Sequence, residues 1–368
     1  MADEVDLGRR APFRIAIFGL GAAAEHIHLP ACASLPGVEV VSACEPDVRR
    51  REQIGRRFGV PRLYPDAQSL LTAERPDVVI IGTPPDSHRD LCLLALDHGA
   101  HVLCEKPFVG SVAEADEVIA AADHKGLLVR VNNQYRFMAM YRVTQAQLAA
   151  GKFGPLYSVQ CWQQMFHPPS MERNWRAGLV QSVLYEFGTH ALDLVCFFFG
   201  ALPLSVSAHI SHPPGIKTDV LAHVTLRFPD GGLATMGLNR ISHAPMRYLE
   251  MRLDCAEASV RISFGGLARV GLEWSSDLGR PAVRFSLVKG GEARVESAGR
   301  SRVIAREPRN PISPATALNL QNLLEAISRR DRSNEQARFA RDLLRIVFAA
   351  YDSARTGETV WLGPRRTA

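Results

Sequence analysis

The sequence predicts an α/β protein, with a doubly wound parallel sheet first and then an α+β domain built on a mostly antiparallel sheet. Three observations predict it. Apolar strand-like runs alternate with helical patterns from residue 13 to about residue 131, as in parallel strands joined by crossover helices. A glycine-rich turn follows the first of those runs at once. Beyond about residue 155 the strand-like runs crowd together, with short turns between some of them, which suggests antiparallel pairing. A chain of 368 residues is too long for one ordinary core, so two domains are expected. The expected division is 1–132 for dinucleotide binding and 133–368 for substrate binding and assembly, with the C-terminal helix able to pack back on the first domain.

The elements follow in order. "FRIAIF" (13–18) is an apolar strand run that leads straight into "GLGAAAEH". "VEVVSAC" (38–44) is the second strand, and a helical pattern follows through Phe58. "DVVIIG" (77–82) shows no polar alternation, as expected of a strand covered on both faces. "DSHRDLCLLALDHG" (86–99) reads as a helix, with Asp86 as N-cap and Gly99 as its stop. "HVLC" is the next strand. Ser111 and Glu114 form a capping-box pattern before another helix, and "LLVRV" (127–131) is the strand after it. A helix over roughly 182–199 interrupts the second region, whose strands include "LYSVQCW", "LAHVTLRF", "GLATMGLNR" and "YLEMRLD". The turn Pro229-Asp230-Gly231-Gly232 separates two of them. Near the C-terminus Phe339, Leu343, Val347 and Tyr351 recur every four residues, marking one buried helical stripe.

Composition narrows the class. Hydrophobic residues make up 46% and charged residues 22%, the proportions of a globular protein. The net charge of +5 is mild and the arginines are scattered, apart from the knot "RRREQIGRR" (49–57), so nucleic acid is not an expected partner. No run of ~18 apolar residues is present, so no membrane-spanning helix is expected. The opening "MADEVDLGRR" lacks an apolar signal core. The seven cysteines form no CxxC pair, which leaves no support for a metal site and suggests buried thiols in a reducing cytoplasm.

The turn "FGLGAAAEH" sets Gly19, Gly21 and Ala24 in a GxGxxA spacing, with Ala22 and Ala23 between them. Gly19 allows the tight turn, Gly21 lets a pyrophosphate approach the backbone, and Ala24 lets helix and strand pack closely. The helix N-terminus then offers N–H groups to phosphate. Glu45, at the end of the second strand, stands where a carboxylate can accept from the adenosine ribose hydroxyls. It would repel a 2′-phosphate, which favours NAD. Arg49 and Arg50 could pair with such a phosphate and leave NADP possible. Thr83, Pro84 and His88 in "GTPPDSH" lie at a strand end that lines the cofactor crevice of a doubly wound sheet, with Thr83 and Pro84 able to border the ribose and His88 either contacting the cofactor or standing as a first-turn helix residue.

Taken in order, "GLGAAAEHIHLP", the acidic end of strand two, "VVIIGTPPDSH", "ALDHGAHVLCEKP", "FGTHALDL" and "AAYDSARTGETVWL" resemble the Gfo/Idh/MocA oxidoreductases over roughly residues 13–362. The resemblance implies an N-terminal Rossmann domain, a C-terminal domain with a large open sheet, and NAD(P)-dependent chemistry on hydroxyls or ketones of sugars, inositols and related polyols. It carries over Lys106 of the Glu-Lys-Pro segment as the residue beside the nicotinamide. A lysine partly desolvated there can relay the proton that accompanies hydride transfer. Pro107 stiffens the strand exit, and Glu105 orients Lys106 or touches the nicotinamide ribose. Gln134 is placed with the cofactor, and Tyr135 and Arg136 where the family joins its domains. His190 matches the family histidine, and Glu186 falls where aspartate is common. Four residues apart on a helix, Glu186 and His190 share a face. The glycine-rich approach usual before this helix is replaced by "GLVQSVLY", which leaves the substrate loop and the role of Glu186 open.

The segment "CWQQMFHPPSMERNWR" (161–176) combines aromatic and amide side chains suited to sugar faces and hydroxyls. Trp162 either packs on the sheet or binds substrate. Trp175 and Arg176 match a family Trp-Arg pair, with Arg176 binding an anionic substituent or clamping the loop. The expected activity is sugar or cyclitol dehydrogenation, or the reverse reduction. Two alternatives share these parts: redox-neutral glycoside cleavage or epimerisation with tightly held NAD, and a non-enzymatic dinucleotide sensor. A homodimer or homotetramer through the C-terminal sheet is expected.

Overall fold

A computed structural model describes residues 12–243, 247–265, 267–275, 280–288 and 290–363. They divide into two compact units. The first holds the described residues up to Phe137 together with Ile312–Arg345; the second holds Met138–Pro311 and the residues from Ile346 onward.

In the first unit the chain runs through β1 (Phe13–Phe18), α1 (Leu29–Ala33), β2 (Val38–Cys44), α2 (Val48–Phe58), β3 (Arg62–Tyr64), α3 (Ala67–Glu74), β4 (Val78–Ile81), α4 (His88–Asp97), β5 (His101–Cys104), α5 (Val112–Lys125) and β6 (Val129–Val131). The six strands form a parallel sheet in the order β3-β2-β1-β4-β5-β6. β4 is buried throughout, as are residues 15–18 of β1, because helices cover both faces. The order reverses between β1 and β4, and there the strand ends open the crevice in which such sheets bind ligands.

Local chemistry shapes the ends. A π-helical turn, Ala24–His28, precedes α1. Pro30 follows just after it and has no N–H to give the carbonyl four residues back, so the widened turn suits the sequence. Pro85–Ser87 forms a 3-10 turn, and α4 starts only at His88. Asp86 therefore lies inside that turn and is not the N-cap. Ser111 Oγ accepts from Glu114 N at 3.2 Å, as its spacing predicts, but the Glu114 carboxylate accepts from Gly110 N at 2.9 Å rather than from Ser111.

The second unit contains α6 (Ala139–Ala149), β7 (Leu156–Gln164), α7 (Thr189–Phe199), β8 (Ser205–Ser211), β9 (Leu221–Arg227), β10 (Leu233–Asn239), β11 (Leu249–Cys255), β12 (Ser259–Phe264), β13 (Leu267–Ser275), β14 (Arg280–Val288), β15 (Gly291–Ser297) and β16 (Arg300–Glu307). After it come α8 (Ile312–Ser328), α9 (Glu335–Thr356) and β17 (Val360–Trp361). A nine-stranded sheet runs β16-β15-β12-β11-β7-β10-β9-β8-β17. Its pairs are antiparallel except β7 with β10, which is parallel because α7, β8 and β9 intervene in the chain. β13 and β14 pair with each other as a separate hairpin between β12 and β15. Val159, Cys161 and Gln163 of β7 and Ala234, Met236 and Leu238 of β10 face the side on which α7 packs. Trp162 and Thr235 face the other side, following the period of two.

α8 returns to the first unit. Its Leu320, Leu323 and Leu324 join Ile15, Ile17, Ile54, Val78, Ile80, Leu103 and Leu128 in one core cluster. Asn334 then ties down the β6 edge, accepting from Val129 N at 2.8 Å and donating to Leu127 O at 3.0 Å.

Candidate active site

The dinucleotide turn is built from backbone demands. Gly19 has φ +83°, and a Cβ there would stand 2.9 Å from Thr83 Cγ2, so conformation and space both require glycine. A Cβ on Gly21 would meet only Arg50 Nη1, at 3.6 Å. An open glycine backbone beneath a guanidinium suits phosphate. Ala22 is exposed and Ala23 half-buried where the helical segment opens. Glu45 Oε2 accepts from Leu20 N at 2.9 Å and Oε1 from Asp47 N at 3.1 Å. Each oxygen keeps a lone pair for a ribose hydroxyl. Arg51 Nη1 donates to Glu45 O at 2.6 Å, fixing the same turn. Arg49 is exposed on α2, and the arginine over the glycine turn is its neighbour Arg50.

The next strand end is held by His88. This residue is fully buried, with Nδ1 3.0 Å from both Pro107 O and Phe108 O and Nε2 2.9 Å from Thr83 O. Both ring nitrogens are therefore taken up by main-chain carbonyls. The expectation that His88 touches the cofactor is corrected: it clamps the Gly-Thr-Pro loop to the exit of β5. Thr83 Oγ1 accepts from Ser87 Oγ at 2.7 Å, while Pro84 is exposed. Gln134 is buried, and its Oε1 has no partner among the described residues. A buried carbonyl oxygen of that kind calls for a donor from a ligand or water. Open glycines, a poised carboxylate and an orphaned amide oxygen fit a dinucleotide. Tyr135 is buried beside Gln134, and the Arg136 guanidinium lies 4.1 Å from the Phe339 ring centroid.

Lys106 leaves β5 half-buried, through a cis bond to Pro107. Its main-chain N–H reaches Glu105 Oε2 at 3.1 Å. Glu105 Oε1 is met by His28 Nε2 at 2.9 Å and Asn132 Nδ2 at 2.7 Å. Burial alone would push the Glu105 carboxyl up. The His28 hydrogen bond and charge, the Asn132 amide and the Lys106 ammonium together outweigh burial and bring it down to about 2. The carboxylate thus faces into the protein beneath Lys106.

In the second unit the expected helix over 182–199 opens as a π-helical turn, Val183–Phe187, before α7. Buried Asp219 sets its start: Oδ1 accepts from Ser182 N at 2.6 Å and Val183 N at 2.8 Å, and Oδ2 from Tyr351 OH at 2.7 Å. Gly188 closes the turn, since a Cβ there would meet Leu238 Cδ1 at 2.5 Å and Val183 O at 2.9 Å. Glu186 lies in this turn, half-buried, and accepts from Arg176 Nε at 3.2 Å. The Arg176 guanidinium stacks 4.4 Å from the Trp175 ring. His190 follows on α7, 4% exposed. The loop bearing Trp175 is anchored by buried Arg240, which donates to Glu172 Oε1 and Ser182 Oγ, while His167 Nε2 lies 3.4 Å from Glu172 Oε2.

Trp162 is a correction. It is 49% exposed, on the face of the sheet opposite α7. Its ring covers Gly237, where a Cβ would meet Cζ3 at 2.5 Å, and it stands edge-on to His223 with centroids 6.0 Å apart. It packs on the sheet and cannot share a pocket with His190.

Comparison with known proteins is consistent with this construction. Residues 13–133 match the pattern of an oxidoreductase family with an NAD-binding Rossmann fold, and residues 141–261 match the C-terminal domain of the same family, Gfo/Idh/MocA. The chain belongs to the Gfo/Idh/MocA oxidoreductases. As a member of that family it is an NAD-binding enzyme of redox chemistry. It is 29% identical over 259 residues to a D-apiose dehydrogenase of Paraburkholderia graminis, covering 68% of each chain. It is 27% identical over 197 residues to a scyllo-inositol 2-dehydrogenase (NAD(+)) of Bacillus subtilis, covering 53% of this chain and 56% of that one. Among solved structures, the aldose-aldose oxidoreductase of Caulobacter crescentus superposes with a TM-score of 0.79 at 22% identity, over 95% of this chain and all of that one. The myo-inositol 2-dehydrogenase of Lactobacillus plantarum gives 0.76 at 19% identity, over 96% and 100%. These two likenesses speak for the Gfo/Idh/MocA fold.

Sequence reasoning missed several residues that hold the candidate residues in place within each unit. His28 and Asn132 could have been noticed as polar residues at the ends of apolar elements, but their common partner Glu105 is far away in sequence. Asp219 and Arg240 sit among strand residues and gave no signal. Among the described residues no helix is long and apolar enough to cross a membrane, and no group of three or more His, Cys, Asp or Glu is arranged to hold a metal ion.

Proposed function

We propose that this enzyme transfers hydride between NAD and a hydroxyl-bearing carbon of a sugar, cyclitol or sugar-derived substrate, with Lys106 and His190 moving the accompanying proton. The observation that carries the reading is Lys106 itself, fixed by main chain and charge to buried Glu105 at the strand-end edge that also bears the glycine turn. The dinucleotide supplies or accepts the hydride. Lys106 Nζ then gives a proton to the carbonyl oxygen in reduction, or takes it from the hydroxyl in oxidation. His190, buried on α7, serves the same proton, and Glu186 paired with Arg176 shapes the polar surround. The names of the apiose and inositol dehydrogenase relatives support a polyol substrate. Glu45 supports NAD over NADP, because its carboxylate would stand against a 2′-phosphate.

The test is an absorbance screen of D-apiose, D-xylose, D-glucose, methyl glucoside and myo-inositol with NAD and NADP, alongside titration of both cofactors. The reading expects turnover with at least one polyol and tighter binding of NAD. Cofactor that stays bound while a glycoside is cleaved without net absorbance change would replace it with redox-neutral chemistry. Bound NAD with no reaction of any kind would leave a sensor.

A further inference from the structure

Beneath Lys106 lies a buried polar cluster reaching across the first unit. His28, in the π-helical turn after the glycines, is fully buried with Nε2 2.9 Å from Glu105 Oε1. Asn132, fully buried just past β6, gives Nδ2 to the same oxygen at 2.7 Å. Two side chains of α8 hold Asn132 in turn: its Nδ2 reaches Thr316 Oγ1 at 3.2 Å, and its Oδ1 accepts from Asn319 Nδ2 at 3.2 Å. The second Glu105 oxygen accepts the main-chain N–H of Lys106. Residues from the turn after the glycines and from the ends of β5 and β6 thus converge on one carboxylate, and α8 holds one of them, Asn132, in place.

The chemistry of the cluster gives His28 a definite part. An ionised carboxylate only accepts hydrogen bonds, so Nε2 of His28 must carry a proton. His28 Nδ1 is buried with no partner among the described residues. An apolar side chain of similar size would fill the space without that cost. The imidazole is therefore not explained by packing; its Nε2–H bond to Glu105 is what it contributes. His28 also lies close to the first strand-end loop, with Cδ2 3.8 Å from the place of a Cβ on Gly82.

We propose that His28 is a positioning residue for the redox step, holding the Glu105 carboxylate in place so that Lys106 is presented in one fixed orientation. The inference rests on Lys106 being the proton-transfer residue. Without the His28 donor, Glu105 becomes a buried and under-compensated charge. It then takes up a proton or turns toward water, and in either case the ammonium and main chain of Lys106 lose their support.

The test combines single-turnover hydride transfer with the fastest polyol of the panel, NAD titration and thermal unfolding. His28→Met keeps the volume but removes the donor, and should slow hydride transfer by about tenfold to a hundredfold. NAD affinity should change by less than about threefold, since the phosphate and ribose contacts lie elsewhere. His28→Gln keeps an amide donor and should recover most of the rate. The combination His28→Met with Glu105→Gln removes the unpaired charge, so thermal stability should return while the rate stays low. If rate and stability return together in that double variant, His28 is structural and the inference is overturned; it is also overturned if His28→Met and His28→Gln are equally fast. The double variant decides the matter even if His28→Met alone does not fold. Lys106→Ala separates the two levels. A slow Lys106→Ala beside a fast His28→Met rejects the inference alone, whereas a fast Lys106→Ala rejects the proton-transfer reading on which it rests.

Discussion

Lys106 draws its expected importance from where its neighbours put it. Its strand exit is fixed through Glu105, and His88 pins the carbonyls of Pro107 and Phe108 on the far side. A proton relay at such a point commonly contributes ~10²–10⁴-fold to rate. Lys106→Ala should lower kcat by that order and leave NAD binding nearly intact. Lys106→Arg should not rescue it, since a guanidinium rarely gives up its proton. His190→Ala should be comparably damaging, and the double variant little worse than either, as for residues acting as one unit. Single-turnover kinetics with cofactor titration checks all four variants, and additive losses would separate the two residues. Glu105 adds a prediction in pH. Its carboxyl lies at about 2 against an ordinary 4.5, so the folded state binds the proton less readily than the unfolded chain. The resulting stability is fully present above about pH 4.5 and is lost as pH falls toward 2, worth on the order of 3 kcal/mol. Urea unfolding of wild type and Glu105→Gln across that range checks it: the wild type should lose stability relative to the variant as the pH falls, and parallel curves would contradict it.

At the scale of elements, what the sequence revealed and what it hid have a common physical cause. β1, β2 and β5 run over the residues read from their apolar stretches, because a strand covered by helices needs no polar alternation. The glycine turn was legible because backbone geometry dictates it locally. The π-helical turn before α7 was not, because its cause is distant: Asp219 accepts from the N–H groups of Ser182 and Val183, and the Tyr351 hydroxyl from that of Leu184 at 3.3 Å. The same holds for His28, whose partner Glu105 is 77 residues away. Trp162 fails differently. Alternation along β7 says that it faces away from Val159 and Cys161, but no sequence pattern says which face α7 covers. The 3-10 start of α4 follows from consecutive prolines, a local signal that Asp86 obscured. Asp219 therefore makes a prediction for a whole element. Asp219→Ala leaves the N–H groups of Ser182 and Val183 and the Tyr351 hydroxyl without their acceptor. Each buried orphan costs about 1–3 kcal/mol, so denaturant midpoints should fall markedly. Activity should fall further than stability, because this turn carries Glu186 and leads into His190. An active variant with an unchanged midpoint would show that the π-helical turn holds itself.

At the scale of the molecule, the face of the nine-stranded sheet opposite α7 carries exposed side chains along its middle strands β7, β9 and β10 among the described residues. α6 and α7 pack on the other face, and a sheet ordinarily needs cover where it presents apolar groups. The exposed face is not uniformly polar. Trp162 is 49% exposed and Leu233 42%, and both lie in its middle strands. Toward β15 the face carries charges that pair with each other: Arg252 Nε lies 2.9 Å from Asp254 and Arg261 Nε 3.6 Å from Glu296. A second copy meeting it would gain apolar contact at its centre, around Trp162 and Leu233. Nine strands ~4.8 Å apart and some six residues long span about 40 by 20 Å, or roughly 800 Å². That is about the area each partner gives to a standard interface. We accordingly propose a homodimer or homotetramer through this face. Light scattering across micromolar concentrations should give a mass two or four times that of the chain. Raising the salt should leave it assembled, because the apolar centre is not screened as the surface ion pairs are. Trp162→Glu combined with Leu233→Glu should shift the mass toward the monomer, since each copy would bring like charges to the centre of the contact. A wild-type monomer throughout that range would reject the interface, and an assembled double variant would move it to another surface.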